Sequence, residues 1–290
     1  MKGKIINIPF LQYKTHAVIY GDIKKNTPII LLHGGPGGCS EKYESLSRLA
    51  DHNIPIIFYD QLGCGYSKIS NYSNDLFTVD TYMDELENLI SYLKIEKYYL
   101  LGHSWGGMLA LSFVTKREHK GLEKLILFST LPSTKIWNEE HLEMIKDFPS
   151  NEKVAMINAY ENKPFNKEDY DLGIKRFSKE HVGKKSDRKY ICKRKRFPKL
   201  FFPVYNYMWG PNELFGTGTL VNYNVEDDLS KIDVSTLIMS GKLDESSPKM
   251  NKLMNERIKG SKWVLFEHSH HCAYNEEPDE VLNEIISFIK

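Results

Sequence analysis

The chain has 290 residues, room for one large α/β domain with an insertion or for two ordinary domains. Hydrophobic residues make up 41% and charged residues 27%, and 39 Lys plus Arg nearly balance 38 Asp plus Glu, which excludes a global field for recruiting nucleic acid or an anionic membrane. No run approaches the ~18 apolar residues of a membrane span, and the N-terminus "MKGKIINIPFLQYK" lacks the apolar stretch of a signal peptide. Cys39, Cys64, Cys192 and Cys272 lie far apart with no C-x-x-C pair, so a disulfide framework or zinc site is not expected and a reducing, cytoplasmic setting is.

Between residues 28 and 130, short apolar runs alternate with helical patterns. "TPIILLHG", "IPIIFYD", "KYYLLGHS" and "GLEKLILFST" are continuously hydrophobic, as strands buried on both faces of a parallel sheet must be. Between the second and third, Val79, Met83, Leu86, Ile90 and Leu93 recur at helical spacing and predict a helix laid on that sheet. Residues 132–220 lose the alternation, are rich in aromatics and carry the basic run "GKKSDRKYICKRKRFPK", which reads as a solvated face. The rhythm then resumes with "VSTLIMSG", a helix in "SPKMNKLMNERIKG", "SKWVLFE" and a helix in "EEPDEVLNEIISFIK". One doubly wound sheet is expected, its core formed by residues 1–131 and 221–290 and interrupted by a mostly helical insertion over 132–220. "GTGTL" at Gly216 lacks the strand and helix of a dinucleotide loop.

The strongest chemical signal is "YYLLGHSWGGMLAL", where a strand runs into Gly102-His103-Ser104-Trp105-Gly106 and a helical pattern follows. This is a G-x-S-x-G nucleophile elbow: the turn is too tight for side chains two residues either side of the serine, and it leaves Ser104 at a helix N-terminus. "IILLHGGPGG" supplies bare backbone for an oxyanion hole, with one N–H from Gly35 and the other from Trp105. His33 reads as a loop residue, and no G-K-[ST] follows to make a phosphate loop. The acid of a triad is expected after the serine, and Asp244 in "KLDESSP" follows a strand's C-terminal end, whereas Asp227, Asp228 and Asp233 precede that strand. The next strand delivers "EHSHHCAYNEEP", with His268, His270 and His271 as candidate bases and without the E-x-x-H or cysteine context of a metal site.

HGGPG, "DQLGCGYS" at 60–67, GHSWGG, "YMWGPNEL" and "LDESSP" together resemble the proline iminopeptidase family of α/β-hydrolase serine peptidases, nearest to the tricorn-interacting aminopeptidase of archaea. The resemblance spans the core and the C-terminal edge of the insertion, with little over 132–200. It implies an α/β-hydrolase fold with a helical cap, and an aminopeptidase that releases one N-terminal residue, with proline as the family's characteristic one, from short peptides. It selects His271 as the base, because the family's histidine precedes an E-x-P whose glutamate and proline fall on Glu276 and Pro278; His270 is the runner-up. It implies that Glu213, in G-P-N-E, and Glu245 grip the substrate's amino terminus, with Tyr205 beside them. That role suits carboxylates, which accept charge-assisted hydrogen bonds from an ammonium group. No cofactor or metal is expected, no nucleic acid or membrane partner, and a functional link to a large peptide-producing protease is implied. Leu214, where the family has an aromatic residue, and the basic 183–199 stretch depart from the pattern. An esterase or lactonase on the same Ser104–His271–Asp244 triad is the alternative, and a non-catalytic binding protein a third reading.

Overall fold

The computed structural model describes residues 2–190 and 200–290. Cys192 and the greater part of the basic 183–199 stretch therefore lie outside the described residues. Among those described, eight strands form a single sheet: β1 (Lys4–Phe10), β2 (Tyr13–Tyr20), β3 (Ile29–Leu32), β4 (Ile56–Asp60), β5 (Tyr98–His103), β6 (Leu122–Phe128), β7 (Ser235–Gly241) and β8 (Lys262–Phe266). Their order is β1-β2-β4-β3-β5-β6-β7-β8. All neighbours from β4 to β8 are parallel, while β1 and β2 add an antiparallel ribbon at the edge. This α/β-hydrolase sheet uses all six apolar runs as parallel strands; the edge ribbon is an addition. Its strands show the alternating burial of a one-faced sheet margin, a weaker signal than a continuous apolar run.

Alternation along each buried strand explains the two cores. Ile30, Leu32, Ile57, Tyr59, Leu100, Leu125 and Leu127 face one layer. Ile29, Leu31, Ile56, Phe58, Leu101, Ile126 and Phe128 face the other. The first layer holds α1 (Val79–Tyr92) and α2 (Trp105–Lys116). The helix α1 starts at Thr78, whose side chain accepts from the Thr81 N–H, and buries Met83, Leu86 and Leu89. Truncating Leu86 to alanine would cost on the order of 2–5 kcal/mol, since the space cannot fully collapse. The second layer holds the turn-rich Ser40–His52 segment and the C-terminal helix Pro278–Ile289, which begins on a proline whose missing N–H is no loss there.

Between β6 and β7 the described chain forms helices instead of strands: α3 (Thr134–Met144), α4 (Ser150–Tyr160), α5 (Lys167–Phe177) and α6 (Phe202–Met208). These have an apolar cluster of their own around Ile145, Phe148, Met156, Phe177, Leu214 and Phe215. Trp137, Val204, Met208 and Trp209 join the first layer's core and root the helices on the sheet. The helix α7 (Pro248–Arg257) follows β7, and the single turn α8 (Ala273–Glu276) follows β8.

Candidate active site

The C-terminal ends of β3, β5, β7 and β8 converge on one place. Ser104 closes β5 with φ 55° and ψ −125°, a conformation that a side-chain-bearing residue adopts only when its surroundings impose it. The imposing contacts are glycine positions. A Cβ on Gly102 would lie 2.3 Å from the Gly106 carbonyl oxygen, and a Cβ on Gly106 would lie 2.0 Å from that of Leu32. The spacing argument from G-x-S-x-G thus has its physical counterpart: strand, serine and helix interpenetrate where only hydrogen fits. The Ser104 N–H donates to Phe128 (3.0 Å), and the Thr130 hydroxyl donates to the Ser104 carbonyl (2.8 Å).

The glycine loop after β3 packs against this elbow, a Cβ on Gly34 meeting Ser104 Cβ at 3.1 Å. Gly35 has φ +133°, open to glycine alone. Among the described residues, neither the Gly35 N–H nor the Trp105 N–H has a hydrogen-bond acceptor. His33 is wholly buried and braced: its Nδ1–H donates to Gly34 (2.9 Å), while its Nε2 accepts from the Gln61 N–H (3.0 Å). Burial pushes its pKa down, so the ring stays neutral and structural. Asp60 pins the loop's far end, accepting from the Ser40 N–H and hydroxyl (2.7 and 2.8 Å) and from the Tyr66 N–H (2.8 Å). The sequence marks Asp60 as part of a motif without revealing this task.

Of the three histidines, His271 meets the acid. Its Nδ1–H donates to Asp244 Oδ1 at 2.7 Å, and both side chains are buried. Asp244 Oδ1 also accepts from the Ser246 N–H (2.8 Å). Burial alone would raise the Asp244 pKa, yet the positive His271 ring and these hydrogen bonds hold it below the ordinary carboxylate range. His268 is exposed. The E-x-P register has a mechanical cause: Glu276 accepts from the His270 N–H (2.7 Å), and Glu277 accepts from the His268 N–H (3.2 Å) and the Ser269 hydroxyl (2.5 Å). The two glutamates therefore clamp the loop that presents His271.

Sequence reasoning missed a relay behind the elbow. The Gly34 N–H donates to the Tyr43 hydroxyl (2.8 Å), which donates to His103 Nδ1 (2.8 Å), and His103 Nε2–H donates to the His271 carbonyl (2.9 Å). His103 is buried, and burial together with the His271 charge pushes its pKa down to about 3, so it serves as a neutral strut between glycine loop and histidine loop. Also missed was His141 in α3. Its ring nitrogens face the carbonyls of Leu214 (2.6 Å) and Glu245 (3.0 Å), joining the two segments that carry Glu213 and Glu245. Neither histidine sits in a pattern that spacing alone would single out.

The Tyr205 hydroxyl donates to Glu213 Oε2, and Glu213 is half-buried. Glu245 is wholly buried, and among the described residues neither of its carboxylate oxygens makes a hydrogen bond. Its Oε1 lies 3.4 Å from His271 Nε2. Spacing along the chain offered His270 no co-ligand, but the fold gathers Asp187, His270 and Glu276, with ligand atoms within 4.8 Å of one another. The carboxylates are already engaged, Asp187 by the Lys184 N–H (3.0 Å) and Glu276 by the His270 N–H, and His270 Nδ1 lies 3.4 Å from Glu276 Oε1. The trio sets the His270 imidazole, the runner-up base, beside two acids rather than beside Asp244. Among the described residues Cys39, Cys64 and Cys272 form no disulfide, and no helix is long and apolar enough to cross a membrane.

A profile described as alpha/beta hydrolase fold matches residues 27–278. A proline iminopeptidase of Lactobacillus acidophilus is 38% identical, with 97% of this chain and 95% of the relative covered. The chain belongs to the proline iminopeptidase family. Among solved structures, a proline iminopeptidase from Mycobacterium smegmatis superposes with a TM-score of 0.83 at 26% identity, covering 98% of this chain and 97% of that one. The structure titled VinJ superposes with a TM-score of 0.84 at 29% identity, covering the same shares. Within a proline iminopeptidase framework, the arrangement at the strand ends can perform nucleophilic acyl transfer: a serine on a helix N-terminus, free backbone donors beside it, and an imidazole oriented by a buried carboxylate.

Proposed function

We propose that this protein is a serine aminopeptidase that releases N-terminal proline from short peptides, with Ser104, His271 and Asp244 as its triad. In this reading Ser104 Oγ attacks the first peptide carbonyl while His271 Nε2 takes its proton. Asp244 orients the ring and stabilises the imidazolium. The Gly35 and Trp105 N–H groups receive the oxyanion, the C–N bond breaks, and His271 returns the proton to the leaving amine. Water then opens the acyl-enzyme by the same steps. Glu213, steadied by Tyr205, and Glu245 receive the substrate's secondary ammonium group.

The observation that carries this reading over an esterase or lactonase is Glu245. Burying a carboxylate with no hydrogen bond is costly even with the His271 ring 3.4 Å away, and a cationic ligand supplies the hydrogen bonds it lacks. Residues 132–220 serve as a cap admitting short chains, the kind of product a larger protease releases. The test compares kcat/KM for a prolyl-naphthylamide and its N-acetyl form. Each charge-assisted hydrogen bond is worth roughly 1.5–3 kcal/mol, so the free amine should be favoured by about a hundredfold or more. Glu213→Gln and Glu245→Gln should shrink that ratio. Equal cleavage of both forms would remove the amine-binding role and favour the esterase.

A further inference from the structure

Two carboxylates flank the base. Asp244 holds His271 Nδ1 at 2.7 Å, and Glu245 Oε1 stands 3.4 Å from Nε2, the nitrogen that must accept the serine proton. An imidazole flanked by two buried carboxylates is held as the imidazolium, and an imidazolium has no lone pair with which to take a proton. We propose that Glu245 keeps the substrate-free base out of service and that the substrate's own amino group, by taking Glu245 as its partner, releases it. The inference rests on the triad and the amine-binding role proposed above, and adds that recognition of the amine and activation of the base are one event.

The surroundings favour this exchange. Burial opposes a charge on the ring, but the Glu245 and Asp244 carboxylates together carry the His271 pKa well above its ordinary value. Glu245 itself is raised by burial and by Glu213 and Asp244, with His271 pulling the other way. The proton rests on the imidazole, where Asp244 also stabilises the cation. The remaining neighbours add little positive charge: burial keeps His103 and His141 low, at about 3, and also lowers His181. Tyr205 stays protonated, its pKa raised well above the ordinary value by burial and by Glu213. Cys272 adjoins His271 in the chain, and its electrostatic effect also favours the imidazolium. An ammonium group arriving at Glu245 takes over the carboxylate, and the ring, losing that partner, gives up its proton to bulk water. The amine stays on the acyl fragment through acylation and deacylation, so the base remains released until free proline departs, and Glu245 then returns to it.

The test uses pH profiles, because kcat/KM reports the free enzyme and kcat the occupied one. For a prolyl-naphthylamide, the acid limb of kcat/KM should lie at least about one pH unit above that of kcat, a tenfold difference below both limbs. In Glu245→Gln the kcat/KM limb should fall and the two should coincide. A direct check is ring nitrogen NMR of Ser104→Ala near neutral pH: prolinamide should deprotonate His271, and N-acetylprolinamide should not. Coincident limbs in the wild type, a gap that survives Glu245→Gln, or a ring still protonated with prolinamide bound would overturn the gate. The free-amine to N-acetyl ratio separates the two levels. A large ratio with coincident limbs removes the gate alone, whereas a ratio near one removes the amine-binding reading and the gate with it.

Discussion

As the proposed nucleophile, Ser104 should bear on catalysis far more than on stability. It is small and lies at the mouth of the elbow, so Ser104→Ala should leave the fold intact while kcat falls on the order of 10⁴–10⁶. His271→Ala should be comparably damaging and the exposed His268→Ala nearly silent, with His270→Ala lowering stability more than kcat because its ring packs on Glu276. Steady-state kinetics with thermal denaturation on the four variants checks this; near-wild-type turnover without His271 would move the base. Glu85 offers a residue-scale test away from the site. Its carboxylate is fully buried, accepts from the Leu62 N–H at 2.9 Å and pairs with the Thr15 hydroxyl. Burial raises its pKa from 4.5 to about 7. Folded chain therefore holds a proton that unfolded chain has lost between these values, and the stabilisation present below pH 4.5 drains away as pH rises through 7. Glu85→Gln imitates the protonated form. Relative to wild type it should gain on the order of 3 kcal/mol between about pH 4 and pH 8, read by denaturant unfolding. An unchanged difference across that range would refute the buried proton.

At the scale of elements, the strand–turn–helix at β5 and α2 tolerates no methyl group. Gly106→Ala would drive a Cβ to 2.0 Å from the Leu32 carbonyl, so β3 and α2 must separate. Overpacking of this kind costs roughly 1–3 kcal/mol or more, and it displaces both the serine and the glycine loop. The control is Gly260→Ala, with nothing within 4 Å but a φ of +73°. It should lose only about 1 kcal/mol to backbone strain, with activity unchanged. If Gly106→Ala melts and turns over like wild type, β3 and α2 do not interlock at the elbow.

Across the whole molecule, the site lies beneath α6, whose Phe201 cap residue donates its N–H to the Gly37 carbonyl (2.8 Å). Ser104 keeps only 8% of its surface exposed and His271 5%. A long peptide has little room to thread such a site. Along a series of proline-headed peptides, kcat/KM should hold for two to four residues and then decline at least tenfold by about ten, measured by release of free proline. A flat series would mean that the helices above the site do not limit chain length.

Much of this was written in the chain. Continuous apolar runs specify strands buried on both faces, and the glycines around Ser104 specify a turn that nothing larger fits, because both are demands of local geometry. The edge ribbon β1–β2 was quieter, since half-exposed strands dilute the hydrophobic signal. What local pattern leaves open is which distant groups meet. That His271 rather than His270 reaches Asp244, that His141 ties the Glu213 and Glu245 segments together, and that Glu245 comes to rest against His271 depend on crossings of 26 to 104 residues. Such contacts are set by how helices and strands pack, and no periodicity in the sequence encodes that.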